Sequence, residues 1–476
     1  MKQRKGLFGR PTSDPFWWFC ALLVALVLAL TFLAVPRGSR AAPAAALCLS
    51  AAVVTAVGHY RLGSFLVVTC LSVHDWLNQA IGLRAFDVSG LNVGMLLSGF
   101  CVVVFLLRYG LPTFHARTRG IFGLYIVLLA LTTLVTYRGT NVLHSEWLAL
   151  ISGPLRLGCV WLWMHECGWR LPPSKALTSS LALIVGPVVI ALSTVQAVTS
   201  ATSLRLADYG AARASGLYDA NYAMAAVAMG SAALLAISDC ASLNRATRVF
   251  AMLASAFGVL CIPFLGSRTG ALALLAGLLA VFATGKAASR IVLLLMCAAT
   301  LLSLPYWPAS IVGRFTNLQD QFVASRQAVQ QNAWDAFLAK PLLGGGLNSY
   351  YGPGKRSASV AHNTLLAALA EGGIVYAVFF LSILWALGRF AWHSHTIMHD
   401  PSGRVLLGAL AAYCVASGSL NFTISDYNSY LLCGYTALTA GIIEQRCAVR
   451  GGSQRKFKSS QRAQVFTSSV VGTRSF

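Results

Sequence analysis

The sequence predicts an all-α polytopic membrane protein, and three observations carry that prediction. Of 476 residues, 57% are hydrophobic and 11% charged, with a mean hydropathy of +0.68 that soluble domains do not approach. Apolar runs near or above the ~20 residues needed to cross ~30 Å of hydrocarbon recur along nearly the whole length. The runs do not alternate polar and apolar as the strands of a membrane barrel would, so inside lipid only helices can satisfy their backbone groups.

Taken in order, spans fall at roughly 16–35, 42–58, 62–77, 91–107, 120–137, 146–164, 177–197, 220–238, 248–266, 269–285, 290–305, 364–387, 405–421 and 429–445. The second and third are short, so the expectation is twelve to fourteen spans. The start, "MKQRKGLFGRPTSDPFWWFC", has no small-residue cleavage site after a short apolar core. It reads as a retained first span, not a signal peptide. With the N-terminus inside, the inner segments hold 23 Lys and Arg and the outer ones 12, with Arg156 inside a span beside Pro154. This bias predicts both termini on the cytoplasmic side.

The formal charge of +22 is scattered between apolar runs. It therefore reads as topology signalling, and a nucleic-acid partner is not expected. The basic stretch "RCAVRGGSQRKFKSSQRAQ" is placed inside, near anionic headgroups. The twelve cysteines fall in spans or inner segments, so no disulfide or zinc framework is implied.

Two outer connections are long, 198–219 and 306–363. Long connections carry function more often than short ones. The second contains an amphipathic stretch, "RQAVQQNAWDAFLAKPLLGGG", expected to fold onto the membrane face. The glycines of "LLGGGLNSYYGPG" read most simply as turn formers, with close backbone approach to a sugar as the alternative. His393, His395 and His399 are expected in a solvated inner loop.

The same outer face gathers an unusual set of polar side chains. Arg268, in "FLGSRTGALALL", sits between two apolar runs on the side the charge rule disfavours. It is either a snorkelling anchor or an anion ligand. Arg205 and Arg213 lie in one outer loop and Arg314 and Arg326 in the other, and His362 stands at the threshold of the span that follows. Alone, His362 would read equally well as an interfacial histidine near a helix start. Guanidinium forks bind phosphate oxygens in pairs and stay charged, so such a set suits a pyrophosphate borne on a lipid. Glu371 follows His362 by nine residues, half a turn out of phase, and is assigned to the loop or to helix packing instead of to the histidine.

The ordered pieces "GSRTG", "SRQAVQQNAWDAFLAKPLLGGGLNSYY" and "AHNTLLAALAEGGI", with "SGLYDANYAMAAVAM" upstream, resemble the O-antigen ligase and Wzy-type polymerase superfamily over roughly residues 205–390. Arg326 lies eight residues before Trp334, further than that pattern leads one to expect, which leaves both Arg314 and Arg326 as candidates for the second phosphate ligand. The resemblance implies a GT-C-like, metal-independent glycosyltransferase of the bacterial inner membrane, acting at its periplasmic face. It divides the chain into N-terminal spans (1–197), a catalytic region (198–390) with its outer loop (306–363), C-terminal spans (391–445) and a basic cytoplasmic tail (446–476).

The implied donor is a glycan on undecaprenyl pyrophosphate, and the implied acceptor a second glycan or lipid A-core, with a flippase and a chain-length regulator as companions. Arg268, Arg326, Arg314 and Arg213 are the expected pyrophosphate ligands, His362 the expected base, and Asn363 and Glu371 supporting residues. No cofactor is implied, and no D-x-D carboxylate pair occurs in the sequence to hold a metal. The span count and loop size tilt the expectation towards polymerase over ligase. Two rivals are weaker. A transporter or flippase would want ionisable residues at span centres and paired broken helices, and a protein O-oligosaccharyltransferase would want a larger outer domain.

Overall fold

A computed structural model describes residues 93–109, 116–139, 144–180, 183, 220–265, 267–285, 321–350, 363–418 and 428–449, with isolated positions between 290 and 305. Every regular element among these residues is a helix. They are α1 (Val93–Tyr109), α2 (Ala116–Arg138), α3 (His144–Arg170), α4 (Pro173–Ser179), α5 (Ala220–Ser238), α6 (Arg245–Leu265), α7 (Arg268–Thr284), α8 (Gln321–Ala339), α9 (Thr364–Thr396) and α10 (Pro401–Ser417). A last helix, α11, covers 428–449. Two of them, Thr118–Arg138 in α2 and Thr364–Thr396, are long and apolar enough to cross a membrane. The all-helical structure is in keeping with the expected membrane protein.

The bundle is closed by small side chains. Along α5, Ala225, Ala226, Ala228, Ala232, Ala233 and Ala236 are fully buried, and α5 packs against α6, α7 and α10 at once. Where apolar side chains gain little by leaving lipid, close backbone approach through small residues is what holds helices together. Gly277 of α7 meets Ala232 and Ala412, and Gly168 of α3 faces Gly441 of α11. Larger residues fill the other half of the core, where Phe105 lies edge-on to Trp163 with ring centroids 5.5 Å apart.

Side-chain pairings give each helix a direction. Gly270 meets Met224, and Ser255 bonds to Ser231, so α7 starts where α5 starts and α6 ends. Gly277 faces Ala412 and Gly408 faces Val281, so α10 ends at the level where α7 starts. Thr132 meets the Tyr376 hydroxyl at 3.0 Å, and Val135 accepts from Leu347, which brings the end of α2 beside the beginning of α9. Arg268, Arg138, α8 and the start of α9 thus share one end of the bundle.

The far end is tied by charge. Arg404 donates to Asp239 at 2.7 Å and Arg446 approaches Asp400 at 3.2 Å. His165 lies 3.2 Å from Glu444, which also accepts from Thr118.

Helix α9 differs from the sequence reading in two respects. Helix α9 runs to Thr396 instead of ending near 387, which puts His393 and His395 in its last turn, half-buried, and leaves only His399 exposed in a loop. Nor is α9 straight. Gly373 has φ 68° and ψ −169°, which breaks the ladder about two and a half turns into the helix.

Candidate active site

At Arg268 the local sequence decides the geometry. Ser267 is extended and its hydroxyl accepts from the Gly270 N–H at 3.2 Å, a serine N-cap that satisfies one of the orphan donors of α7. Arg268 is therefore the first helical residue, half-buried at the end of the bundle instead of on a flexible loop. Asn363 does the same for α9, accepting from the Leu366 N–H at 3.0 Å. Both caps leave helix N-termini, which favour anions, at the same end of the molecule.

Arg326 lies on α8, half-buried, three, seven and ten residues before Val329, Ala333 and Ala336. Those three form a small satellite core with Leu366, Ala367 and Ala370 of α9 and with Tyr350. The helical repeat puts Arg326 on the face that α8 turns to α9. Trp334 sits on the outer face, 44% exposed, its ring 5.3 Å from that of Phe337.

Residues 340–350, "KPLLGGGLNSY", form a strap across the break in α9. The N–H groups of Gly345 and Gly346 donate to the carbonyls of Ala370 and Glu371, both at 2.8 Å. In return, the N–H of Ile374 donates to Pro341 at 2.8 Å and that of Val375 to Leu342 at 3.4 Å. The Leu347 N–H donates to Val135 of α2 at 2.9 Å. The backbone groups that the kink releases are thus taken up by the strap, as burial requires.

Glycine is what permits this contact. A Cβ on Gly373, at positive φ, would overlap the Leu342 carbonyl, and one on Gly346, at φ 94°, would overlap the carbonyl of Arg138. The close approach is to the protein's own backbone.

Two charged side chains complete the strap. Glu371 accepts from the Asn348 N–H at 3.1 Å, so its carboxylate serves the loop. Arg138, the last residue of α2, donates through Nη1 to Leu343 (2.6 Å) and through Nη2 to Gly344 (3.1 Å). In the sequence, Arg138 is one of the 12 basic residues of the outer segments and carries no other signal. Nothing local marks it, because its partners lie more than two hundred positions along the chain. His362, Arg213 and Arg314 lie outside the described residues. Among the described residues, then, the structure brings Arg268, Asn363, Glu371 and the helix bearing Arg326 to one end.

Residues 253–381 match the family model described as Wzy_C, O-Antigen ligase. That stretch is similar to O-antigen ligases. The match takes in Arg268, Arg314, Arg326, His362, Asn363 and Glu371, together with α7, α8, the strap and the break in α9. Arg213 and Arg138 fall outside it. No curated protein matches the chain. The O-antigen ligase match supports a glycan ligase or polymerase type of activity in general.

Proposed function

We propose that this chain is a glycosyltransferase of the outer leaflet of a bacterial inner membrane, taking its glycan from an undecaprenyl pyrophosphate donor. The observation that carries the reading is that the matched region contributes Arg268, the Arg326 helix and the Asn363 cap to the same end of the bundle. In the reaction, the acceptor hydroxyl attacks the anomeric carbon, the bond to the phosphate oxygen breaks, and the hydroxyl proton goes to His362. The lipid pyrophosphate leaves with its developing charge neutralised by Arg268 and Arg326, with Arg314 or Arg213 beside them. Guanidinium forks aimed at the leaving group supply stabilisation that grows towards the transition state. An imidazole with an ordinary pKa near ~6.5 is suited to take the proton at neutral pH.

A transporter is the weaker reading for a specific reason. Broken helices in transporters leave freed backbone groups for the substrate. Here the strap occupies them. Arg156, the ionisable residue expected in mid-span, is buried against the Tyr430 ring, 5.1 Å from its centroid.

The test is transfer from a lipid-linked donor by the full chain in nanodiscs, with a second donor molecule or lipid A-core supplied separately as acceptor. Elongation in the first arm makes the protein a polymerase, and product in the second makes it a ligase. His362→Ala should lower the rate by about 10²- to 10⁴-fold, the usual span of general-base catalysis, while donor binding persists. A loss below tenfold would leave His362 a structural residue. EDTA should not change the wild-type rate. If it abolished transfer and Mg²⁺ restored it, Asp208, Asp219, Asp320 and Asp335 would become the residues to test.

A further inference from the structure

We propose that Arg138 is a positioning residue: its guanidinium, forked over the Leu343 and Gly344 carbonyls, sets the pose of α8 and so holds Arg326 over the reacting end of the bundle. The inference rests on the proposed glycosyl transfer, which it deepens. Arg138 ends α2, where the last carbonyls and the negative end of the helix dipole would ordinarily engage a basic side chain. Instead both terminal nitrogens reach the strap.

The two carbonyls it holds lie in the short connection out of α8, a turn in which the Gly344 N–H donates to Lys340 at 3.0 Å. The later half of the strap is fixed without Arg138. Gly345 and Gly346 are bonded to α9, Leu347 to Val135 of α2, and Asn348 to the Glu371 carboxylate. The guanidinium therefore adds little to closing the kink. In the earlier half, Ile374 and Val375 of α9 already donate to Pro341 and Leu342, and the guanidinium adds the Leu343 and Gly344 carbonyls, so that the base of α8 is tied to α2 as well as to α9 and the angle at which α8 leaves is fixed. Beyond this junction, α8 touches the bundle mainly through a small patch of alanines and Val329 against α9. A few small apolar contacts leave a helix free to pivot, and a two-pronged charged donor at its base removes that freedom.

Lysine keeps the charge but offers a point donor that can serve one carbonyl at a time. The test uses the full chain in nanodiscs, spin-labelled at Asn332 of α8 and Ser242 in the α5–α6 turn, both exposed. Arg138→Met should broaden or shift the distance distribution between the labels, and Arg138→Lys should restore it in part. In the transfer assay, kcat should fall at least tenfold in the methionine variant and less in the lysine variant, with the KM for acceptor unchanged.

A distribution that coincides with wild type in both variants overturns the inference. So does a shifted distribution with unchanged kcat, which would make Arg138 a tether without consequence for the site. If the methionine variant fails to fold, the lysine variant decides alone. Should the wild-type protein fail to transfer lipid-linked glycan, the functional reading falls, while the distance measurement still reports whether Arg138 sets the pose of α8.

Discussion

Arg268 combines two properties that seldom meet. It is rigidly placed, as the first residue of a serine-capped helix, and its side chain is only half-buried at the end of the bundle. A pyrophosphate met there would find a helix N-terminus and a guanidinium together. Arg268→Lys keeps the charge and loses the fork, so transfer should fall by at least tenfold while expression and thermal midpoint stay near wild type. Wild-type turnover in that variant would reduce Arg268 to a membrane anchor. The starts of α7 and α9, beside Arg268 and Asn363, were legible because a serine or asparagine before an apolar run is a local signal. Arg138 was not, because its role is a pair of bonds to a distant loop, and a single sequence carries no trace of such a pairing.

Among the elements, α8 and α9 show where periodic patterns inform and where they stop. The amphipathic stretch before the glycines became α8, with alanines and Val329 inward and Trp334 and Leu338 outward. The apolar run from 364 to 387 predicts one straight span, because a glycine pair inside it costs a helix only modestly and does not by itself announce a break. The break exists because the strap supplies partners for the groups it exposes, and that partnership is tertiary. Substitution should separate the two kinds of glycine on this helix. Gly373→Ala forces a Cβ into the Leu342 carbonyl at positive φ, adding about 1–2 kcal/mol of backbone strain to the loss of the strap. Gly388→Ala, whose Cβ would meet only Leu410 at 3.6 Å, should be neutral or stabilising by roughly 0.5–1 kcal/mol. Thermal unfolding in detergent compares them. A Gly373→Ala midpoint equal to that of Gly388→Ala would mean that the strap does not depend on the kink.

At the scale of the molecule, the two ends differ in chemistry. One gathers Arg268, Arg138, the strap and the capped starts of α7 and α9. The other gathers the Asp239–Arg404, Asp400–Arg446 and His165–Glu444 pairs, charges compensated within the protein. Such paired charges add little net stability, but removing one partner leaves the other buried and unpaired. Helix directions follow from the contacts, whereas the side of the membrane each end faces follows only from the 23-to-12 split of basic residues. That split predicts the end bearing α8 outside. Asn332 on α8 and Ser242 between α5 and α6 are exposed at opposite ends. In a cysteine-depleted background, Asn332→Cys should react with an impermeant thiol reagent in intact spheroplasts, and Ser242→Cys only after lysis. The reverse pattern would turn the molecule over and place the arginines on the cytoplasmic side. A donor presented at the outer leaflet could not reach them there, and the proposed transfer would lose its substrate.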